Sequence, residues 1–211
     1  DEIEMPLVAV LARMEEAGIG VDLEELTRLR NTLTADCERL RASIQDAAGQ
    51  EFNVNSTKQL REVLFEKLEL TPGKRTKTGY STDAATLERL RGEHPVVEHL
   101  LNYREVEKLR STYGEGLLAE VQDDDRIRAT FNQTVARTGR LSSDAPNLHN
   151  IPVRTELGRA FRRAFVPAPG LILLVADYNQ IELRCIAHLS GDPSLIAAFE
   201  AGDDIHRSVA S

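Results

Sequence analysis

The sequence predicts an α+β protein with a helical first half and a smaller mixed second half, and three observations carry that expectation. Apolar residues recur at helical spacing in successive stretches from Leu7 to Tyr113. After the acidic run Asp123-Asp124-Asp125 the composition turns to Thr, Ser, Asn, Gly and Pro, which marks the start of a second domain. Within that part the wholly apolar run Leu171 to Ala176, ending on Asp177, has the length of a buried strand.

Taken in order, Leu7, Val10, Leu11 and Met14 form a helical stripe between Pro6 and Glu16, which the Gly18 to Gly20 stretch ends. Asp22 and Glu25 have capping-box spacing, and Leu26, Leu29, Leu33, Cys37, Leu40 and Ile44 then make a single stripe as far as Gly49. Its other faces alternate Arg with Glu and Asp and read as a solvated surface. Ser56 and Gln59 repeat the box ahead of Leu60, Val63, Leu64 and Leu68. Next, "PGKRTKTGYSTD" sets Lys74, Arg75 and Lys77 among the breakers Pro72, Gly73 and Gly79, an exposed basic loop. Helical patterns around Leu87 and Leu90, and from Pro95 to Tyr113, complete an antiparallel helical hairpin with a basic tip. In the second part "FRRAFVPAPG" and "LILLVADY" read as two strands joined by a Pro-Gly turn. "QIELRCIAHLSG" reads as a helix stopped by Gly191, and "DPSLIAAFEAG" as a helix introduced by Asp192 and Pro193.

With 211 residues, 41% of them hydrophobic, the chain can bury a core for one or two domains. No apolar run approaches the ~20 residues of a membrane span and no charged-then-apolar leader opens the sequence, so no membrane or export role is expected. Cys37 and Cys185 form no C-x-x-C pair, which fits a reducing cytoplasm. A net charge of -8 argues against indiscriminate binding of polyanions. Between Phe131 and Arg163, however, Arg137, Arg140, Arg154, Arg159, Arg162 and Arg163 are interleaved with Asn132, Gln133, Asn147 and Asn150. Guanidinium forks and side-chain amides satisfy phosphates and minor-groove acceptors, so nucleic acid is the expected partner.

Asp177, at the tip of the expected strand, could present a carboxylate to a hard cation or cap the next helix, and both readings stay open from the residues alone. Asn179 and Glu182 have capping-box spacing, which accounts for Glu182 without further function. In "DDIH", Asp203 or Asp204 as a helix cap, with His206 in the first turn, is simpler than a metal cluster.

The motifs "FNQT", "TGRLSS", "PNLHNIPVRT", "DYNQIELR", "AHLSGD" and "DIH", in this order and at these separations, resemble the family A DNA polymerases of bacteria. With "KRTKTGYSTD" and "YREVEKLRSTY" the likeness covers essentially the whole chain. It implies a helical thumb subdomain, a partial antiparallel palm sheet and the first finger helices. Residues 1–20 would lead into the thumb, 21–122 form it, 123–181 belong to the palm and 182–211 begin the fingers. By this resemblance Asp177 is a catalytic residue and metal ligand, one of a pair of palm aspartates that bind magnesium (Mg2+), with the Tyr178 carbonyl beside it. Tyr178, Gln180, Ile181, Glu182 and His206 would bind the incoming nucleotide, Glu182 by crowding the sugar 2' position and His206 by reaching the phosphates. Lys74, Arg75, Lys77, Arg104 and Lys108 would track backbone phosphates. Arg140 would enter the minor groove at the primer terminus, and Asn147, Asn150 and Arg154 would hold primer or template near the junction.

The implied partners are primer-template DNA and deoxynucleoside triphosphates, and the implied protein is a monomer of the cytoplasm, associated with the nucleoid, that serves replication and repair. Asn179 stands where Ser is common in the family, and Asp144, Ala145 and His149 also depart from its usual residues. The family's basic-aromatic finger helix and second palm aspartate have no counterpart in residues 1–211, and neither does a nuclease domain. A fragment inactive on its own is therefore expected. The readings from other classes are a non-catalytic DNA-binding module and a metal-dependent nuclease built on Asp177.

Overall fold

The computed structural model describes residues 2–77, 79–152 and 155–202, and the chain divides into two units, Asp1–Leu171 and Ile172–Ser211. The first unit opens with helix α1 (Glu4–Ala17) and strand β1 (Ile19–Val21). Between them Gly18 turns the chain at φ 60°, where a side chain would strike the Ile127 carbonyl oxygen. Of the expected α1 stripe only Leu11 is buried, while Val10 and Met14 stay exposed.

Helix α2 (Leu23–Ala48) is the spine of this unit: 26 residues, about 39 Å of rise. Asp22 caps it by accepting the Glu25 amide at 2.9 Å, and Gly49 closes it in the left-handed region. Its single stripe serves two cores. Leu26, Leu29 and Leu33 pack with Val21, Leu109, Tyr113, Ile127 and Phe161. Cys37, Leu40 and Ile44 pack with Leu60, Leu64, Leu87, Val96, Leu100 and Tyr103.

Helix α3 (Thr57–Arg61) continues into a π-helical turn at Glu62–Lys67. Only half of the expected box forms: Ser56 Oγ accepts the Gln59 amide at 3.4 Å, but Gln59 Oε1 accepts from the Asn53 amide. The basic loop is a hairpin, β2 (Arg75–Thr76) against β3 (Gly79–Tyr80), with Arg75 opposite Tyr80. Helix α4 (Ala84–Arg89) follows, then α5 (Pro95–Leu109), which His94 caps by accepting the Val96 amide at Nδ1. Because α5 runs from the second core to the first, it lies antiparallel to α2, as the hairpin reading required. It extends past Tyr113 through a π-helical segment (Arg110–Glu115) into α6 (Gly116–Ala119).

Strands β4 (Arg126–Ile127), β5 (Thr130–Asn132) and β6 (Ser142–Asp144), helix α7 (Glu156–Arg163) and strand β7 (Phe165–Val166) complete the unit. The order β4-β1-β7 makes a small antiparallel sheet, with Ile19 opposite Ile127 and Gly20 opposite Val166, while β5 and β6 form a separate hairpin.

Two strand expectations are corrected. In "FRRAF", Thr155 caps a helix by accepting the Gly158 amide, and that helix carries Phe161 to Arg163, with Ala160 and Phe161 buried; only Phe165–Val166 is strand. The run Leu171 to Ala176 is not a buried strand. It pairs with no strand among the described residues, and Ile172 and Val175 are 88% and 89% exposed. Apolar sequence alone cannot make a sheet; the backbone needs a neighbour to take its hydrogen bonds.

The second unit holds α8 (Ile181–Ser190) and α9 (Pro193–Ala201). Gly191 ends α8 in the left-handed region, and Asp192 caps α9 by accepting the Ser194 and Leu195 amides. The expected Asn179–Glu182 capping box does not form, because the helix starts one residue later. Gln180 holds the cap position at φ 52° with no side-chain cap bond. Among the described residues no helix is long and apolar enough to cross a membrane.

Candidate nucleic-acid interface

In the first unit, Lys108 on α5 and Thr112 on its π-helical extension face a loop that carries Pro146, Asn147 and Asn150. Between them lies a groove of about 470 Å³, floored by Tyr113 and Leu117. The loop is fixed from below. Ser143 Oγ donates to the Pro146 carbonyl at 3.0 Å and accepts the Leu148 amide at 3.2 Å. The Tyr113 hydroxyl donates to the Asn150 carbonyl, while its ring lies 6.0 Å from that of Phe161. Burial pushes the Tyr113 phenol above its ordinary range, so it remains a donor. Lys108, Thr112, Asn147 and Asn150 are exposed at the rim and offer an ammonium, a hydroxyl and two amides. None of the described residues that line the groove is acidic. Such a set suits phosphate, sugar and base-edge acceptors. The structure thus brings together Lys108, Asn147 and Asn150, three of the residues the sequence singled out.

The other sequence-derived DNA residues are distributed differently. Lys74, Arg75 and Lys77 are exposed on the β2–β3 hairpin. The Arg75 guanidinium lies 6.0 Å over the Tyr80 ring, which stands edge-on to Phe65 at 5.6 Å. At Gly79 φ is +126°, a conformation that side chains rarely adopt, so the turn favours glycine. Arg104 points inward. It donates to the Thr82 carbonyl, and desolvation lowers its pKa. Arg140 is exposed between β5 and β6, whereas Arg154 and His206 lie outside the described residues.

In the second unit Asp177, Tyr178, Ile181 and Glu182 are exposed around the start of α8, with Gln180 as its left-handed first cap. Arg184 Nε donates to the Asn179 carbonyl at 3.1 Å and its guanidinium sits 4.6 Å over the Phe199 ring, which ties the segment after Asp177 to both helices. A carboxylate next to a backbone carbonyl offers the hard oxygen donors that magnesium prefers, and magnesium completes its shell with water and substrate phosphate. The donors fit part of such a shell. No three His, Cys, Asp or Glu side chains converge on a common point among the described residues.

Sequence reasoning missed Thr112, Tyr113 and Arg184. Thr112 was findable, being one helical turn beyond Lys108. Tyr113 read as the end of an apolar stripe, because nothing in the sequence announces that its hydroxyl reaches Asn150.

A family model described as DNA polymerase family A matches residues 23–211. Among curated relatives, DNA polymerase I of Geobacillus stearothermophilus is 50% identical over 211 residues, covering 99% of this chain and 24% of the relative. DNA polymerase I of Bacillus subtilis (strain 168) is 48% identical over 212 residues, with 100% and 24% covered. This chain spans about a quarter of the length of the curated relatives it matches. Of solved structures, the POL domain of Pol1 from M. smegmatis, in complex with DNA primer-template and dNTP, superposes with a TM-score of 0.89 at 47% identity, covering 99% of this chain and 37% of that one.

Proposed function

Since this chain belongs to DNA polymerase family A, we propose that it is the thumb, partial palm and first finger helices of a DNA-templated DNA polymerase, which adds deoxynucleotides to a primer 3' end. The observation that supports this reading is the meeting of Lys108, Asn147 and Asn150 in one acid-free groove, in a chain that superposes on a polymerase domain solved with primer-template and dNTP. Lys74, Arg75, Lys77 and Lys108 would contact backbone phosphates, which carry no sequence information, so any template is accepted. Arg140, Asn147, Asn150 and Arg154 would hold the primer-template junction.

Family A DNA polymerases use divalent metal ions. The ion proposed here is magnesium, held by the Asp177 carboxylate and the Tyr178 carbonyl. When bound, magnesium neutralises phosphate charge and favours ionisation of the attacking hydroxyl. Tyr178, Gln180 and Ile181 would line the nucleotide site, Glu182 would crowd the sugar 2' position and His206 would reach the nucleotide phosphates. The protein is proposed to act as a monomer in the cytoplasm, with the nucleoid, in replication and repair.

Residues 1–211 alone are expected to bind primed DNA without extending it, since a lone carboxylate does not hold a pair of ions. Primer extension by the full-length protein tests the reading: Asp177→Ala should abolish synthesis while leaving DNA affinity largely intact. Full synthesis by that variant would remove Asp177 from the chemistry, and synthesis by residues 1–211 would refute their inactivity. Salt-sensitive binding with no extension by the full-length protein would point to a non-catalytic module, and DNA cleavage lost with Asp177→Ala to a nuclease.

A further inference from the structure

The helix that begins at Pro95 does not stay α-helical to its end. Over Arg110–Glu115 it widens into a π-helical segment before resuming at Gly116. A π segment inserts residues into the turn and re-aims the side chains that follow, and such features are frequent at functional sites. Here Thr112 is exposed on the rim of the groove while the next residue, Tyr113, is 5% exposed in its floor. The buried phenol reaches the Asn150 carbonyl on the opposite wall. Its ring packs on Phe161 in α7.

We propose that Tyr113 is a positioning residue for DNA: by holding the Asn150 carbonyl it fixes the Leu148–Asn150 turn, and with it the Asn147 and Asn150 amides, at the width that lets them engage the strand Lys108 contacts. The inference rests on the DNA-binding reading of this groove and adds a residue that touches no nucleotide. The turn has a second support, Ser143 Oγ, which bonds Pro146 and Leu148. Those bonds hold its first half, and Tyr113 holds its last residue.

The test is a double-mutant cycle in the full-length protein, with affinity for a fluorescent primed duplex measured across a salt series. Tyr113→Phe keeps the ring against Phe161 and deletes one hydrogen bond, so Kd should rise about five-fold, with the slope against salt unchanged. Lys108→Ala should flatten that slope by about one. Asn150→Ala should weaken binding, and adding Tyr113→Phe to it should cost less than Tyr113→Phe does alone, because one of the two amides the tyrosine positions is already gone. Circular dichroism verifies that each variant is folded. If Tyr113→Phe binds like the parent while Lys108→Ala weakens binding, the positioning role is refuted and the interface stands. A Tyr113→Phe penalty that persists undiminished beside Asn150→Ala would refute the positioning role in the same way. If none of the three variants changes affinity, the groove is no DNA interface and both readings fall.

Discussion

Cys37 and Cys185 are the same residue type in opposite settings. Cys37 is 2% exposed, and its thiol donates to Glu107 Oε2 at 3.3 Å; Cys185 is exposed on α8. Burial first, and then the hydrogen bond and charge of Glu107, push the Cys37 thiol up to about 11. Because only the thiolate is a nucleophile, a colorimetric thiol reagent should titrate Cys185 rapidly in the native protein and Cys37 only on unfolding. The sign of the pH effect follows. A thiol that keeps its proton longer when folded contributes fully below the ordinary value of 9.0, and that contribution disappears as pH climbs from there through about 11. Urea midpoints should therefore fall across that interval, and a flat profile would mean that Glu107 and burial do not hold the thiol protonated. The sequence reading found no C-x-x-C pair and set Cys37 in an apolar stripe, but position in such a stripe says nothing of the carboxylate facing it.

At the scale of elements, periodicity was a reliable guide wherever a helix packs on its own neighbours. The α2 stripe, its Asp22 cap and its Gly49 stop were all legible. Leu33→Ala, at a position with no exposed surface, should cost about 2–5 kcal/mol, whereas Val8→Ala on the half-exposed face of α1 should stay within about 0.5 kcal/mol, both read by urea denaturation. Equal penalties would mean that the stripe is not the spine. Two signals misled for physical reasons. "FRRAF" alternates badly as a strand because its first three residues, Phe161 to Arg163, are helical, with Phe161 directed into the core. Leu171 to Ala176 has the composition of a central strand, but composition does not supply the adjoining backbone. The Lys108–Asn150 groove was half legible: its residue types stood out in the sequence, while their convergence depends on the π-helical segment and the Tyr113 bond, both products of tertiary packing.

For the whole molecule the decisive feature is the exposed apolar segment where the first unit ends and the second begins. Leu171 to Val175 are exposed, Ile172 and Val175 almost wholly, and no strand among the described residues pairs with them. Exposed, unpaired backbone is where proteases cut first. Limited chymotrypsin digestion of residues 1–211 should release a fragment ending between Leu171 and Tyr178 before any cut within α2 or α5. In the full-length protein the same segment should resist, if further sequence supplies the missing strand. Equal cleavage in both would refute that role for the segment.

The two cores share one spine, and this has a consequence for anyone dividing the protein. Because Leu26 to Leu33 anchor one end of α2 and Cys37 to Ile44 the other, neither end is a module that survives excision. Excising the whole segment that carries the basic hairpin, from α3 to α4, would strip partners such as Leu60, Leu64 and Leu87 from half of a continuous rod. A workable transplant must carry both long helices down to Tyr113, and so brings the Lys108 and Thr112 wall of the groove along with the tip.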